Sequence, residues 1–550
     1  MADVETYDYV IVGAGAAGCV LSEKLTADGT NRVLTLEAGP MDRSLWIHIP
    51  AAYHKLFSGP MLNWNYETEE EPGAFDRKIF HPRGKVVGGS TSINAMIYMR
   101  GHPHDYDNWA RDFDLPDWSY AHCLPYFKAG ETSERGADDW RGDAGPMTTR
   151  QGKTQNPLYD ALIEAADPSG HGLSHDLNGY RPEGLARLDR SVTPKGRRCS
   201  AAVAYLRPSL SRENFKLKTG AMVHKVVLQG NRAVGLEYVH GGQAHRVEVE
   251  KEVILSGGAM NSPQLLMLSG IGPSGHLREH GIDVQIDLAG VGQNLHDHPL
   301  VDLKYECTKP VTPHNLTNPF VKLKTGAQWM LTGTGLAASN MYEAGGLVRS
   351  NPDIDYPNIQ IQLCSVGVEF TDSGIQLDQG FHMYQDLLRP TSRGELTLRS
   401  ADLTDKVRLK FNYFATEEDR RNAVDGMRTT REIVAQKSFD HLRGKEIYPG
   451  KDKQSFEELD EAIRSKSETD FHPAGTCRMG NDSMAVVDGE MRVHGVEGLR
   501  VVDTSVMPRV TSGNTNAPTQ MIAARAADFI LGKPQRAPLN PGFHFNEQEV

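Results

Sequence analysis

The chain has 550 residues, of which 39% are hydrophobic and 24% charged, so a soluble globular protein of two or three domains is expected rather than one simple core. The formal net charge is −12 and there is no sustained basic block, which argues against nucleic acid as a partner. No apolar run approaches the roughly 20 residues that span a bilayer, so no transmembrane segment is predicted, and the six cysteines form no C-x-x-C pair, which argues against a disulfide framework or a zinc site.

The N-terminal segment predicts a buried β-strand. Residues 7–12 read YDYVIV, and no basic region precedes them, so the segment is a poor signal peptide. We therefore expect a cytoplasmic protein, with peripheral contact to the inner membrane left open.

A glycine-rich turn, G-A-G-A-A-G, follows this strand and leads into helix-forming residues 16–25. Gly13 permits the tight turn, Gly15 lets the backbone approach a pyrophosphate, and Gly18 lets the helix lie close to the strand. The helix N-terminus then offers N–H groups and a positive dipole end to the phosphates. A second apolar strand ends at Glu37, which can accept hydrogen bonds from ribose hydroxyls. These residues predict a dinucleotide site but do not separate FAD from NAD.

Four later segments carry a more specific signal. They read PRGKVVGGSTSINAMIYMRG from residue 82, GGAMNSPQLLMLSGIGP from 257, FHPAGTCRMG from 471 and LRVVDTSVMPRVTSGNTNAPTQMIAARAADFIL from 499. In these segments and in their order along nearly the whole chain, the sequence resembles the glucose–methanol–choline (GMC) oxidoreductases. Within that family it is most similar to the bacterial choline-dehydrogenase-like and primary-alcohol-dehydrogenase-like branch.

The resemblance implies an α/β fold, in which a Rossmann-like FAD-binding domain carries a discontinuous α+β substrate domain built on an antiparallel sheet. Alternating residues 358–363 and 395–398 suit that sheet, and the glycine-containing residues 315–336 are predicted to form an irregular lid. We place the FAD-binding domain at 1–155, 195–305 and 465–540, the substrate domain at 156–194 and 306–464, and a C-terminal arm at 541–550.

The resemblance also implies which residues hold FAD. Some relatives attach the flavin through a histidine just before the position of Asn94, and this chain has Ile93 there, so noncovalent FAD is predicted. The predicted cofactor-binding residues are Gly13, Gly15, Ala16, Ala17, Gly18, Glu37, Ala38, Trp64, Val87, Gly89, Ser90, Asn94, Ala95, Met96, Val223, Asp503, Asn514 and Thr515.

Oxidation of an alcohol needs an acceptor for the hydroxyl proton, and histidine suits that role because its unperturbed pKa lies near neutrality. His472 begins the segment that carries the catalytic histidine in the GMC family, so the resemblance makes it the predicted base. Family members have His or Asn at position 514, and this chain has Asn514, which can donate a hydrogen bond to the substrate oxygen but cannot act as the base. His472 is therefore the strongest candidate.

Three residues are predicted near the substrate. Glu343 corresponds to a carboxylate near the substrate site of choline-oxidising relatives, and a structural role is equally open for it. Phe471 and Trp329 are aromatic candidates for the pocket wall.

The sequence Leu-His-Asp-His at 295–298 has metal-like spacing but no obvious third partner, so a structural role is favoured and no metal is predicted.

The predicted activity is oxidation of an alcohol, expected to be primary, to the aldehyde, with hydride passing to flavin N5 and a separate acceptor reoxidising the flavin. That acceptor is a quinone, a carrier protein or oxygen. The alternatives are an oxygen-using oxidase of the same family and a non-redox lyase on the same fold. A noncatalytic flavin-binding protein is disfavoured because both His472 and Asn514 are present. Neither the alcohol nor the oligomeric state follows from the sequence.

Overall fold

The computed structural model describes residues 4–57, 61–371 and 374–545, so the last five residues of the predicted C-terminal arm lie outside the described residues. The α-helices are α1 Ala16–Leu25, α2 Leu45–His48, α3 Pro103–Asp112, α4 Tyr120–Gly130, α5 Pro157–Glu164, α6 Arg207–Ser209, α7 Gly258–Leu268, α8 Ser274–Glu279, α9 Pro319–Thr332, α10 Glu417–Val434, α11 Phe456–Lys466 and α12 Asn516–Ile530. The strands are β1 Glu5–Val12, β2 Val33–Glu37, β3 Tyr66–Glu67, β4 Phe80–His81, β5 Glu131–Ser133, β6 Met147–Gln151, β7 Gly184–Arg187, β8 Asp189–Arg190, β9 Phe215–Thr219, β10 Ala221–Gln229, β11 Arg232–His240, β12 Gln243–Leu255, β13 Ile271–Gly272, β14 Ile286–Asp287, β15 Gln293–Leu295, β16 Pro299–Val301, β17 Lys304–Cys307, β18 Ala344–Val348, β19 Ile359–Cys364, β20 Gly367–Thr371, β21 Gly374–Asp378, β22 Gly380–Leu387, β23 Gly394–Thr397, β24 Arg408–Lys410, β25 Arg443–Tyr448, β26 Glu468–Thr469 and β27 Leu499–Val501.

The first large sheet is the nucleotide-binding type that the N-terminal pattern predicts. Its order is β10–β11–β12–β1–β2–β9, and β27 also pairs with β12. The pairs from β27 through β12, β1 and β2 to β9 are parallel, whereas β10, β11 and β12 form an antiparallel meander. Strand β2 is buried along its whole length, and β1 and β12 are buried where they pair at residues 10–11 and 253–255, as expected for the centre of a parallel sheet. The predicted strand at 7–12 and helix at 16–25 are both present, as β1 and α1.

The second large sheet is antiparallel, with the order β25–β17–β22–β19–β18–β7, and β16 joins it through β22. Its strands come from chain segments far apart in sequence, and its core includes Ile359, Ile361 and Phe381, all fully buried. The predicted strand at 358–363 lies here, as β19. The predicted domain boundaries remain a proposal.

Two predictions about this half of the chain are wrong. Residues 395–398 do not join the large antiparallel sheet, because β23 pairs with β15 and β24 in a separate sheet. Leu396 and Leu398 there pack into the same apolar core as the nucleotide-binding sheet. Residues 315–336 are not irregular, because α9 occupies most of them, with Asn318 capping its N-terminus and Gly333 adopting the left-handed conformation at its C-terminus.

Candidate active site

A cavity of about 1620 Å³ lies between the two large sheets. One wall comes from the carboxyl ends of the parallel strands, where Val12, Glu37 and Leu255 line the space. The opposite wall comes from the antiparallel sheet, including Gln362 of β19 and Tyr384 of β22. The crevice at the carboxyl ends of the strands is where open α/β sheets bind ligands. Its volume exceeds the roughly 300–1,000 Å³ of ordinary ligand pockets, so a large cofactor and a substrate can share it.

Most of the predicted cofactor-binding residues are brought together in this cavity. Gly18 and Val87 lie behind its wall, where an added Cβ on Gly18 would meet the carbonyl oxygen of Gly13 and where the N–H of Val87 donates to the carbonyl oxygen of Pro40. The residues that line the cavity are Gly13, Gly15, Ala16, Ala17, Glu37, Ala38, Trp64, Gly89, Ser90, Asn94, Ala95, Met96, Val223, Asp503, Asn514 and Thr515.

Two helix N-termini face the cavity without a side-chain cap. α1 starts after Gly15 and has no acidic residue in its first turn, and α12 starts after Thr515 in the same condition. Gly13 has φ +97°, which the tight turn before α1 requires, and Gly89 lies against the Cα of Gly15, where a Cβ would come within 2.8 Å. Backbone N–H groups and positive helix ends are thereby exposed to the cavity, and these are the groups that bind phosphate.

Glu37 occupies the predicted position at the end of β2. Its two carboxylate oxygens accept hydrogen bonds from the N–H groups of Ala14 and Gly39, each at 2.8 Å. Burial raises the pKa of the Glu37 carboxyl to about 7, although these two backbone hydrogen bonds act to lower it. The carboxyl is fixed in place with lone pairs remaining for ribose hydroxyls.

Asp503 connects two segments at the cavity wall. Its Oδ2 accepts from the N–H of Gly258 and from the hydroxyl of Ser262, and its Oδ1 accepts from the N–H of Ser505. The hydroxyl of Ser256 also lies at this wall, buried and without a hydrogen-bond partner among the described residues. A ligand with hydroxyl or phosphate groups can satisfy it, which is consistent with a bound FAD.

Arg198 supports the middle of the site and was missed by the sequence reasoning. Its guanidinium is buried and donates to the carbonyl oxygens of Ile47, Thr91 and Asn94 and to the Asn94 side chain. These bonds hold the cavity-lining segment around Asn94, beside Ile93, which is 2% exposed.

His472 and Asn514 meet at the far end of the cavity. Nδ2 of Asn514 lies 3.2 Å from Nε2 of His472, and Oδ1 of Asn514 accepts from the Gln360 amide at 3.2 Å. The amide therefore donates to Nε2, which leaves Nε2 unprotonated and places the ring proton on Nδ1. The opposite ring nitrogen, Nδ1, lies 3.0 Å from Nδ1 of His298 and 3.3 Å from Oδ2 of Asp470.

His472 is neutral in this environment. Burial lowers its pKa well below the usual value, and the neighbouring His298 and Arg83 lower it further. Burial also lowers the pKa of His298 to about 3, so both rings of the pair are uncharged near neutral pH. A neutral imidazole is the form that accepts a proton, and here its Nε2 lone pair is directed at the Asn514 amide beside the cavity.

A buried aspartate fixes the backbone at the histidine. Oδ1 of Asp297 accepts from the N–H of His472 at 2.7 Å, and Oδ2 accepts from the hydroxyls of Thr469 and Tyr413. Phe471, just before the histidine, has φ +66°, a left-handed conformation that a bulky residue rarely adopts. Two residues of the segment 295–298 thus contact the candidate base: Asp297 through the His472 N–H, and His298 through the ring.

A pair of carboxyl groups lies beneath the same ring. The amide of Gln362 donates to Asp386 and, at 3.1 Å, to Asp470. Burial raises the pKa of the Asp386 carboxyl to about 7, and burial followed by repulsion from Asp386 raises that of Asp470 well above its usual range. The two carboxyls therefore share a proton. Asp470 lines the cavity and stands two residues before His472, a position that sequence reasoning could have flagged.

The predicted substrate residues separate into two groups. Phe471 and Trp329 line the cavity, and the Trp329 indole donates to the carbonyl oxygen of Gly196 at 2.7 Å. Glu343 does not line it: its carboxylate is fully buried, lies 3.0 Å from Arg190 and accepts from both the N–H and the hydroxyl of Thr154. The structure favours the structural alternative for Glu343.

Aromatic side chains that sequence reasoning missed form the wall near Phe471. The ring of Phe57 lies 5.4 Å from that of Phe471 and 5.6 Å from that of Tyr53, while Tyr342 lies between Tyr53 and Tyr384 at 6.2 and 6.1 Å. All five line the cavity. Tyr53 and Phe57 stand four residues apart, whereas the other three come from distant segments, so no spacing in the sequence could have grouped all five.

Neither a metal site nor a membrane span is evident in the described ranges. No cluster of three or more His, Cys, Asp or Glu side chains there is arranged to hold a metal ion. None of the helices in those ranges is long and apolar enough to cross a bilayer.

Comparisons with known proteins agree with this geometry. Residues 7–300 and 390–523 match the two sequence profiles described as GMC oxidoreductase. The chain is 46% identical to the human mitochondrial choline dehydrogenase, over 96% of this chain and 90% of that protein. It is 46% identical to the oxygen-dependent choline dehydrogenase of Pseudomonas fluorescens, over 96% and 94% of the two chains. The crystal structure of pyridoxine 4-oxidase from Mesorbium loti superposes with a TM-score of 0.87 at 31% identity, covering 96% of this chain and 99% of that one. The predicted fold class and FAD as cofactor are thereby confirmed.

Proposed function

Because the chain belongs to the GMC oxidoreductase family and is an FAD-dependent oxidoreductase acting on CH–OH donors, we propose that it oxidises a primary alcohol to the aldehyde with His472 as the base. The observation that carries this proposal is the neutral His472 ring, whose Nε2 faces the cavity beside the Asn514 amide. Bound FAD supplies the hydride acceptor.

The residues of the chain divide the remaining work. Nε2 of His472 takes the hydroxyl proton of the substrate, while the Asn514 amide turns its N–H toward the substrate oxygen and stabilises the developing negative charge. The hydrogen bond that the His472 N–H donates to Asp297 and the contact between the His298 and His472 rings hold the imidazole so that Nε2 points into the cavity. After proton transfer the imidazolium charge lies 3.3 Å from Asp470, whose paired carboxyls offset it.

FAD is held without a covalent bond. Ile93 offers no nucleophile, and the two uncapped helix N-termini and Glu37 provide noncovalent contacts for the phosphates and a ribose. The buried Ser256 hydroxyl supplies a further contact.

The aromatic wall favours alcohols in which the group attached to the reacting carbon can pack against aromatic rings. Choline is the first candidate, because aromatic faces attract quaternary ammonium groups and because choline is named in the relatives that are 46% identical. An uncharged aryl alcohol is the second candidate, since the carboxylate expected to favour a cation, Glu343, is ion-paired to Arg190 away from the cavity.

The experiment that tests the function is anaerobic mixing of the FAD-loaded enzyme with choline, aryl alcohols and linear primary alcohols while the oxidised flavin absorbance is followed. Bleaching by at least one alcohol is expected. A lyase or a noncatalytic flavoprotein would give no bleaching with any of them.

The flavin is then reoxidised by a separate acceptor, for which we propose a quinone or a carrier protein over oxygen. Comparing reoxidation of the reduced enzyme by oxygen and by a water-soluble quinone decides the point. The six free and buried cysteines support a reducing compartment, and we propose the cytoplasm.

A further inference from the structure

Helix α9 forms part of the roof of the cavity and is almost entirely exposed. Lys322 and Gly326 on its inner side and Met330 at the edge of that side line the cavity, and Trp329 is the one buried residue of the helix. The Trp329 indole donates to Gly196, so α9 is held to the body mainly through this side chain.

The outer side of α9 is apolar, the reverse of the usual arrangement in which the apolar side of a surface helix is buried. The exposed fractions are 83% for Phe320, 72% for Leu323, 78% for Met330 and 86% for Leu331. Together with Ala327, these residues stand at positions i, i+3, i+7, i+10 and i+11 and so fall on one side of the helix, here called the α9 face. A contiguous apolar surface of this kind marks an interaction site.

Apolar residues of a second segment lie at the same mouth of the cavity. Leu45 and Trp46 line the cavity and are 53% and 46% exposed. The ammonium of Lys55 lies 3.8 Å from the centre of the Trp46 ring. Burial and then repulsion from Lys322 lower the pKa of Lys55, which places the two segments within electrostatic range of each other.

The three chain segments beside the α9 face carry charge of one sign. Residues 43–57, 193–198 and 319–334 contain no aspartate or glutamate, in a chain whose net charge is −12. They carry Arg43, Lys55, Lys195, Arg197, Lys322 and Lys324 at the surface, and the buried Arg198. Within the described residues none of the six surface cations is ion-paired to a carboxylate, in contrast to Lys216, Lys218 and Lys304. Across the cavity lining, Glu369 of β20 is an exposed acidic residue.

We infer that the α9 face, with Leu45 and Trp46, is the surface by which the enzyme docks on an anionic phospholipid bilayer. Apolar side chains enter the boundary between headgroups and acyl chains while the surrounding cations meet anionic headgroups, the composition that interfacial helices share. Trp46 beside Lys55 suits the headgroup level of a bilayer, where tryptophan and lysine side chains are commonly found. Docking in this way turns the mouth of the cavity toward the membrane, where lipophilic acceptors dissolve.

A second copy of the chain is the main competing occupant. A symmetric dimer through α9 would place the same patch of each copy against the other and bring the unpaired lysines together, which costs free energy. The bilayer instead supplies the opposite charge.

The test uses the FAD-loaded enzyme and sedimentation with vesicles of phosphatidylcholine alone or mixed with phosphatidylglycerol. Binding to the anionic vesicles is expected to be at least about tenfold stronger and to weaken at high salt, because salt screens the attraction between surface cations and anionic headgroups. The triple variant Phe320→Ser, Leu323→Ser, Leu331→Ser changes residues outside the cavity lining. It is expected to reduce binding to anionic vesicles at least about tenfold through lost apolar burial.

Leu210→Ser is the matched control, an exposed leucine outside the three basic segments, and it should leave vesicle binding unchanged. Flavin bleaching by a soluble alcohol in buffer is measured on the same proteins, so failure of docking is separated from failure of the proposed function. Equal binding of the triple variant and the wild type, or no binding by the wild type, overturns the inference. A concentration-dependent dimer in sedimentation velocity that the triple variant abolishes would assign the α9 face to a second copy instead.

Discussion

The Asp386 and Asp470 pair makes a sharp prediction about how rate depends on pH. His472 is neutral throughout the physiological range because burial lowers its pKa well below 6.5, so its titration cannot produce a limb near neutrality. The carboxyl pair can, since the pKa of Asp386 is raised to about 7. As pH rises through about 7, the pair gains a negative charge beside the ring that must become an imidazolium. The rate of flavin reduction should therefore rise with pH.

The size of the effect follows from the 3.3 Å separation of Asp470 Oδ2 and His472 Nδ1. Two unit charges at that distance attract by about 5 kcal/mol at an effective dielectric constant of about 20, which is an upper bound. Hydrogen bonds to charged groups contribute about 1.5–3 kcal/mol in measured series. Asp470→Asn should therefore slow flavin reduction roughly 10- to 100-fold and flatten the rise near neutrality.

Asp386→Asn is the matched control, because Asp386 does not line the cavity and cannot touch the substrate. The asparagine can still contact Asp470 but does not compete for its charge, so Asp470 ionises more easily. The rise in rate should move to lower pH while the maximal rate is retained within about threefold.

The assay is anaerobic stopped-flow reduction of the bound flavin over a range of pH on both sides of neutrality, with the thermal midpoint of each variant as the folding check. Unchanged rate and pH profile in Asp470→Asn would refute the role of the pair. Equal losses in the two variants would point to packing rather than charge.

Three further predictions follow from the site. His472→Ala should lower the rate of flavin reduction by about 10²–10⁴ while FAD remains bound, and a near-wild-type rate would exclude it as the base. Glu343→Gln should lower the free energy of unfolding, measured in urea, by about 3 kcal/mol, because it leaves Arg190 without its charged partner. The KM for choline should change little. A raised KM at unchanged stability would instead place Glu343 at the substrate site. Acid precipitation should release the flavin into the supernatant, and yellow flavin in the pellet would contradict noncovalent binding beside Ile93.

The parts of the fold that the sequence predicts are those determined by local pattern. β1, α1 and β2 follow from apolar strands and glycine spacing, because a turn such as that at Gly13 requires a residue tolerant of positive φ. Residues 395–398 were placed in the wrong sheet because alternation shows that a strand has one buried face but not which sheet it joins.

The prediction for residues 315–336 failed for a related reason. The apolar residues of the α9 face recur at helical spacing, but they point outward and pack against nothing else among the described residues. The glycines at 326 and 333 favoured an irregular segment over a helix. A helix stabilised by its caps and by one buried tryptophan leaves little local signal of where it packs.

The candidate site divides along the same line. His472, Asn514 and the cavity-lining glycines lie in motifs, so the sequence identifies them. Asp386 and Arg198 were missed, because they act across long sequence separations on atoms that only the fold brings together.

The surroundings of His472 must meet two opposing requirements, a neutral ring before the reaction and a stable imidazolium after it. The ring must be neutral before the reaction, which burial and Arg83 ensure by destabilising its charged form. The same burial opposes the imidazolium that forms once the hydroxyl proton is taken. A permanently ionised carboxylate beside Nδ1 would stabilise the imidazolium. It would also raise the pKa of the resting ring, so that Nε2 would already be protonated before the substrate binds. A carboxyl pair that shares one proton stabilises the charged ring less strongly than a free aspartate and does so at Nδ1 alone. The pair thus allows a low resting pKa and a supported imidazolium in one site, and Asp386→Asn, which lets Asp470 ionise at lower pH, should extend that support to lower pH without removing the base.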